Sequence, residues 1–188
     1  MAELTFYYST MAAGKSTAAL QLNYSLNQAG FKPQLMKPSL DTRDVGCIRS
    51  RIGIEAPATL ITDLPIGKLN LYATHLIVDE AQFLNKKQVE DLGLIADYYE
   101  MPVYCYGLRT AYTGELFEGA AALMAIADNL IELPLISKDN KKAVMHIRYV
   151  DGKPIFEGDP IFVGDIVEEY RSVSRNEYYI ARTTKWDS

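Results

Sequence analysis

A doubly wound, mostly parallel α/β sheet with a small C-terminal β-rich subdomain is the fold class that this 188-residue sequence predicts. Three observations predict it. The chain opens as strand, glycine-containing turn, helix and strand, which is the first unit of a parallel sheet. Apolar runs of strand length then alternate with helical stretches that lack breakers, as far as about residue 134. Beyond Pro134 the pattern changes to alternation of apolar and polar residues, the mark of half-buried strands.

The elements follow in order. Residues 4–8 are apolar and aromatic and form the first strand. Residues 15–29, rich in Ala, Leu and Gln, form a helix that Gly30 ends. Residues 32–37 form a second strand. Residues 38–57 are polar, carry Arg43, Arg49 and Arg51, and read as a mobile loop with at most one helical turn. A short helix is expected over 63–73. Residues 75–79 (HLIVD) form a buried strand that ends in carboxylates. A helix over 86–100, a strand over 102–106, a helix over 119–127 and a last core strand over 129–133 complete the sheet. In the tail, 137–142 (SKDNKK) is turn-like, and Met145, Ile147 and Tyr149 alternate with His146 and Arg148. Asp151-Gly152 supplies a hairpin turn, and extended segments reach about Val173. The predicted division is 1–134 for an α/β domain and 135–188 for a small β-rich subdomain.

Composition narrows the function. Hydrophobic residues make up 48%, enough for a conventional core, and the net charge of −5 argues against a protein that coats DNA or RNA. The two cysteines, Cys47 and Cys105, form no paired pattern, which fits a reducing cytoplasm. No basic, apolar leader opens the chain, and no apolar run approaches the roughly 20 residues of a spanning helix. The expectation is a soluble cytoplasmic protein without a nucleic-acid or membrane partner.

The segment Ser9-Thr10-Met11-Ala12-Ala13-Gly14-Lys15-Ser16 fits the phosphate-binding P-loop pattern G-x-x-x-x-G-K-[ST], with Ser9 in place of the first glycine. It follows an apolar strand and opens a helix, as that mechanism requires. Gly14 lets the backbone approach phosphates closely. The N–H groups of 13–16 would point at phosphate oxygens, aided by the helix dipole. Lys15 would reach the β- and γ-phosphates, and the Ser16 hydroxyl would bind Mg²⁺. ATP with Mg²⁺ is the expected ligand. Asp79 and Glu80 end the run Leu76-Ile77-Val78. A magnesium-phosphate site needs a carboxylate at the C-terminal end of a core strand near the phosphate loop. Asp79 suits it, directly or through a metal-bound water. Glu80 points the other way along the strand and could act as general base.

The P-loop, Asp41-Thr42-Arg43, Val78-Asp79-Glu80-Ala81-Gln82-Phe83, Tyr106-Gly107-Leu108-Arg109-Thr110, Gly114-Glu115-Leu116-Phe117 and Tyr170-Arg171-Ser172-Val173 together resemble the cytosolic, type II thymidine kinases, and most of all their bacterial and phage branch. The resemblance covers nearly the whole chain, in order. It implies transfer of a phosphate from ATP to the 5′-hydroxyl of thymidine, and often of deoxyuridine. Glu80 would accept the hydroxyl proton. Lys15, Mg²⁺ and Arg43 would supply positive charge, and Asp79, Glu80, Ala81 and Gln82 would line the nucleotide site. The thymine pocket would use Met11, Phe83, Leu108, Tyr112, Phe117 and Tyr170, together with backbone groups of a loop near 161–164. Phe117 suits core and pocket equally, whereas Tyr112 and Tyr170 favour the pocket. Arg109 reads as a solvated surface charge. The family commonly forms tetramers and is commonly inhibited by thymidine triphosphate, so a homo-oligomer is expected.

The sequence departs from the family at its structural zinc. The first ligand pair would fall in Ser137-Lys138-Asp139-Asn140-Lys141-Lys142 and the second in Ser174-Arg175-Asn176-Glu177, and neither stretch holds a cysteine. Closed zinc sites use thiolate and imidazole. No structural zinc is expected, so Met145, Ile147, Tyr149, Ile155 and Phe156, with contacts between subunits, would hold the subdomain. His75 reads as a capping or packing residue and His146 as an exposed residue on the polar side of a strand.

Overall fold

The computed structural model describes residues 1–41, 44–159 and 168–184. Thr42, Arg43 and the expected base-reading loop near 161–164 lie outside the described residues.

Six parallel strands form the central sheet: β1 (Leu4–Ser9), β2 (Pro33–Pro38), β5 (Thr59–Ile61), β6 (His75–Val78), β7 (Val103–Leu108) and β8 (Asn129–Glu132), in the order β5-β2-β6-β7-β1-β8. A short antiparallel pair, β3 (Cys47–Arg49) and β4 (Glu55–Pro57), precedes β5 in the chain. Helix α1 (Lys15–Gln28) packs on one face of the sheet, and α2 (Lys86–Tyr98) and α3 (Glu118–Ile126) pack on the other. Strand alternation decides who faces which layer. Phe6, Met36, Leu76, Val78, Val103 and Cys105 meet Leu92, Ile95 and Leu123 of α2 and α3. Leu35, Ile77 and Tyr106 point the other way, onto Ala19 and Leu20 of α1. Both faces are covered, which is why these strands read as near-continuous apolar runs. Asn85 caps α2 in a capping box with Gln88.

The small sheet comprises β9 (Met145–Val150), β10 (Lys153–Ile155) and β11 (Glu168–Val173), antiparallel in the order β10-β9-β11. Asp151 and Gly152 both have positive φ, 49° and 76°, as the expected hairpin turn requires. A further helix, α4 (Arg175–Thr183), follows, with Ser174 accepting a hydrogen bond from the Glu177 amide. Met145, Ile147 and Val173 pack on Tyr178 and Ala181 of α4. Helix α4 thus supplies much of the core that the sequence assigns to Ile155 and Phe156.

Three local expectations change. The supposed loop 38–57 contains the β3–β4 hairpin, anchored by the buried Lys37–Asp41 ion pair at 2.8 Å. The expected helix over 63–73 is a single 3-10 turn, Pro65–Lys68. His146 is not exposed: it is 2% accessible. Its strand face is turned away from solvent because it meets the phosphate-loop unit, through Ser172 Oγ donating to the Met11 carbonyl at 2.7 Å.

Candidate active site

The site lies at the C-terminal ends of three adjacent strands, β6, β7 and β1, where a parallel sheet gathers its loops. The loop after β1 turns through left-handed backbone at Ala12 (φ 65°) and Gly14 (φ 79°) before entering α1. The first-turn amides of a helix have no intrahelical acceptors, so residues 13–16 present donors beyond β1. Lys15 is buried and folded over the loop, its Nζ donating to Thr10 O at 2.7 Å and to Ser9 Oγ at 3.2 Å.

Asp79 stands directly after β6, 3% accessible, with its amide donating to Met36 O at 3.0 Å. The nearby Ser16 hydroxyl favours its ionised carboxylate. Burial, and then the neighbouring Glu80 charge, push the Asp79 carboxyl up to about 6, against the opposing effects of Ser16 and Lys15. Its buried Oδ1 has no hydrogen-bond partner among the described residues. An acceptor of that kind costs free energy unless something positive meets it. A carboxylate oxygen beside a serine hydroxyl is a donor set that fits a hard oxygen-seeking cation such as Mg²⁺. Among the described residues, no group of three or more His, Cys, Asp or Glu could hold a metal ion.

At Glu80 the chain leaves the strand. Its φ of 52° and ψ of 34° are left-handed, a costly conformation for a residue with a side chain. Glu80 therefore opens the 3-10 turn Ala81–Phe83 instead of continuing the strand alternation expected of it. Gln82 fixes the result. Its Nε2 donates to Glu80 Oε2 at 2.5 Å, and its Oε1 accepts from the Leu108 amide at 2.9 Å. Two glycines make room for this turn. A Cβ on Gly107 would lie 3.0 Å from both the Gln82 amide nitrogen and Gln82 Oε1. A Cβ on Gly119 would lie 2.5 Å from Ala81 O and 2.6 Å from Leu84 O.

The expected pocket residues divide. Leu108 and Phe117 are buried in the main core, with Phe83 edge-on to Phe117 at 5.7 Å. Met11 packs against the same core. Tyr112 is 1% accessible and held at both ends: its hydroxyl reaches Asp159 O at 3.1 Å, and its carbonyl accepts from the Tyr178 hydroxyl at 2.9 Å. Tyr170 is half-buried and edge-on to Tyr112 at 6.4 Å. Arg109 is no solvated charge, because its guanidinium donates to Val144 O at 2.9 Å and so ties β7 to the small subdomain. His75 packs between Phe31 and Tyr104, and burial lowers its pKa, as a packing residue's would be.

The small sheet contributes residues that sequence reasoning did not place here. Cross-strand neighbours share a face, and β9–β11 register sets His146 opposite Ser172 and Arg148 opposite Tyr170. That face is the one joined to Met11. Arg148 donates to the Tyr112 hydroxyl at 3.3 Å. Alternation along β9 was the available signal; what it lacked was the second layer. At the stretches matched to the family's zinc ligands, Ser137 and Ser174 both hydrogen-bond Asp139, the latter at 2.8 Å. These bonds hold the Asp139 carboxyl below its usual range.

Comparison with known proteins follows the same lines. The thymidine kinase family model matches residues 2–178. The thymidine kinase of Enterobacteria phage T4 is 44% identical over 187 residues, covering 95% of this chain and 96% of that one. That of Shewanella oneidensis is 41% identical over 196 residues and covers both chains completely. That of Vibrio vulnificus strain CMCP6 is 44% identical over 187 residues, covering 95% and 97%. Among solved structures, the Pif1 helicase from Candida albicans is similar at a TM-score of 0.43 and 11% identity, over 70% of this chain and 36% of that one, too slight a likeness to bear on function.

Proposed function

The chain belongs to the thymidine kinase family, and on that premise we propose that it transfers the γ-phosphate of ATP to the 5′-hydroxyl of thymidine, giving thymidine monophosphate, with deoxyuridine as a second acceptor. The observation that carries this reading is the meeting of two strand ends. The phosphate loop after β1 and the Asp79-Glu80 pair after β6 flank β7, and Gln82 braces Glu80 against the end of β7.

In this reading, the amides of 13–16 and Lys15 bind the phosphates, with Ser9, Thr10, Met11 and Ala12 shaping the loop around them. Lys15 exchanges its bond to Thr10 O for the phosphate oxygens. Ser16 and Asp79 hold Mg²⁺, which supplies neutralising charge to the phosphates. Glu80 takes the proton of the 5′-hydroxyl, oriented by its bond from Gln82. Ala81 and Gln82 complete the wall. Met11, Phe83, Leu108, Tyr112, Phe117 and Tyr170 enclose the nucleoside, and Arg43 adds charge. Phosphoryl transfer needs positioning and charge neutralisation more than covalent help, which suits a site built on strand ends.

The remaining features of the proposal are a division at 134/135, a subdomain without structural zinc, a homo-tetramer and a cytoplasmic location. No helix among the described residues is long and apolar enough to cross a membrane. A coupled assay over a panel of nucleosides tests the function. Thymidine is expected to turn over, and Glu80→Gln is expected to cut kcat by about 10²- to 10⁴-fold while ATP binding survives. ATP binding without turnover of any nucleoside would identify a regulatory relative instead.

A further inference from the structure

Three hydrogen-bonded ties hold the small subdomain in place. Arg109, just past β7, donates to Val144 O at 2.9 Å. Ser172 of β11 donates to Met11 O of the phosphate loop at 2.7 Å. The third tie is Asp139, in the connection that leaves β8 and enters β9. It stands inside a tight turn, in which the Ser137 amide donates to Lys141 O at 2.8 Å and the Asn140 amide to Ser137 O at 3.0 Å. One oxygen of the Asp139 carboxylate accepts from the Ser137 hydroxyl of that turn. The other accepts from the Ser174 hydroxyl at 2.8 Å, at the junction of β11 and α4. Ser137 and Ser174 are 7% and 3% accessible, so water competes little for these bonds. Ser174 works twice, because its Oγ also accepts from the Glu177 amide at 3.2 Å and caps α4.

These are the stretches matched to the family's zinc ligands, and the groups present do not fit that metal. Closed zinc sites use thiolate and imidazole. Here two hydroxyls donate to Asp139, and Lys141 Nζ lies 3.7 Å from the same carboxylate oxygen that Ser174 reaches. A positive charge already stands against the carboxylate that a cation would need.

The bridge bears on the site because of where Ser174 falls. It follows β11 directly, just after Tyr170 and Ser172. Val173 O, between Ser172 and Ser174, accepts from the Val144 amide at 3.0 Å. Fixing the end of a strand fixes its register, and register decides which side chains face the layer beneath. We propose that Asp139 is a positioning residue: in the place of a metal, its carboxylate bridges the 137–141 turn to the β11–α4 junction and so holds Tyr170 and Ser172 against the phosphate-loop unit at Met11. This rests on the reading of Met11 and Tyr170 as walls of the nucleoside pocket. Nucleoside binding then depends on the bridge, while phosphate binding by residues 13–16 does not.

The test is a double-mutant cycle on Asp139→Ala and Ser174→Ala, read by kinetics and by thermal melts. Asp139→Ala should raise KM for thymidine about tenfold, with kcat and KM for ATP within about twofold of wild type. Ser174→Ala should act in the same direction. The double variant should fall well short of the product of the two single effects, because both remove one bridge. Asp139→Asn, which keeps one acceptor oxygen, should recover part of the loss. Melts of the same proteins should show the same non-additivity, and they need no turnover. Independent, additive effects in the melts overturn the inference. So does an equal rise in KM for ATP and for thymidine, which is what general loosening of the fold would give. Treatment of the wild type with 1,10-phenanthroline, which removes zinc and spares Mg²⁺, should leave KM for thymidine unchanged; a rise that added zinc reverses also overturns it. Failure of every nucleoside to turn over is a different result: it removes the kinase reading, while the melts still decide whether Asp139 and Ser174 act as a pair.

Discussion

Gly119→Ala should damage the enzyme although Gly119 is not itself among the residues assigned to the site. Gly119 lies in the first turn of α3, against the 3-10 turn that begins at Glu80. A Cβ there would sit 2.5 Å from Ala81 O, 2.6 Å from Leu84 O and 2.9 Å from Gln82 O. All three are backbone carbonyls, so no flexible side chain can yield. An ordinary carbon–oxygen approach is about 3.3 Å, so helix or turn must shift by roughly 0.8 Å. Overpacking of this kind costs about 1–3 kcal/mol. At roughly 3 °C per kcal/mol for a chain of this size, Tm should fall by about 3–9 °C. The catalytic effect should be larger. The turn carries Gln82, whose two bonds connect Glu80 to Leu108. Misplacing a positioning segment by about 1 Å can cost about 10²-fold in rate. Calorimetry and a coupled kinase assay at saturating substrates read the two effects. A variant with Tm within about 1 °C and kcat within about twofold of wild type would refute the claim that this contact sets the Glu80 turn.

Two other perturbations separate stability from function. Asp79→Asn should stabilise the metal-free protein at pH 8 while weakening Mg²⁺-dependent ATP binding. The Asp79 pKa is raised to about 6, mainly by burial, so the folded state loses stability as pH rises from the unfolded value near 4 through 6, and the amide removes that loss. Thermal melts across pH 5–8 without metal, alongside nucleotide titrations, check both halves; equal destabilisation of the variant at every pH would contradict the first. Asp139→Asn should lower Tm at pH 7, and elemental analysis of the purified protein should find no zinc. The Asp139 carboxyl is depressed by its bonds from Ser137 and then Ser174, so its contribution is present above the ordinary carboxylate range and lost as pH falls through the lower folded value. The difference between variant and wild type should therefore close below about pH 4, and a pH-independent difference would show that these bonds do not act through the charge.

The parts of the fold legible in the sequence are those where one physical signal dominates. A strand buried on both faces must be apolar throughout, so residues 75–79 and 102–106 announced themselves. A loop that must approach phosphates needs Gly14 and Lys15 at fixed spacing, and both stand there. The β3–β4 hairpin had no such signal: each strand has three residues, and its anchor is the buried Lys37–Asp41 pair, which reads as two ordinary surface charges. Helix α4 was missed although Ser174 and Glu177 stand at capping spacing, because Tyr, Ile and Thr in a nine-residue segment read equally well as strand. In the candidate site, Asp79 and Glu80 were placed by their position after an apolar run. The left-handed turn at Glu80 was not, since only Gly119 and Gly107, distant in sequence, make room for it.

The small sheet shows why period alone cannot assign burial. Met145 and Ile147 alternate with His146 and Arg148, and an alternating strand is ordinarily wet on its polar side. Here both sides are covered. The apolar side meets Tyr178 and Ala181, and the polar side meets Tyr112, Tyr170 and, through Ser172, the phosphate loop. Polar residues on a covered face need partners. Arg148 has one in the Tyr112 hydroxyl, and Ser172 has one in Met11 O. A polar strand face pressed onto a phosphate loop is therefore better read as the second wall of a site than as a solvated surface.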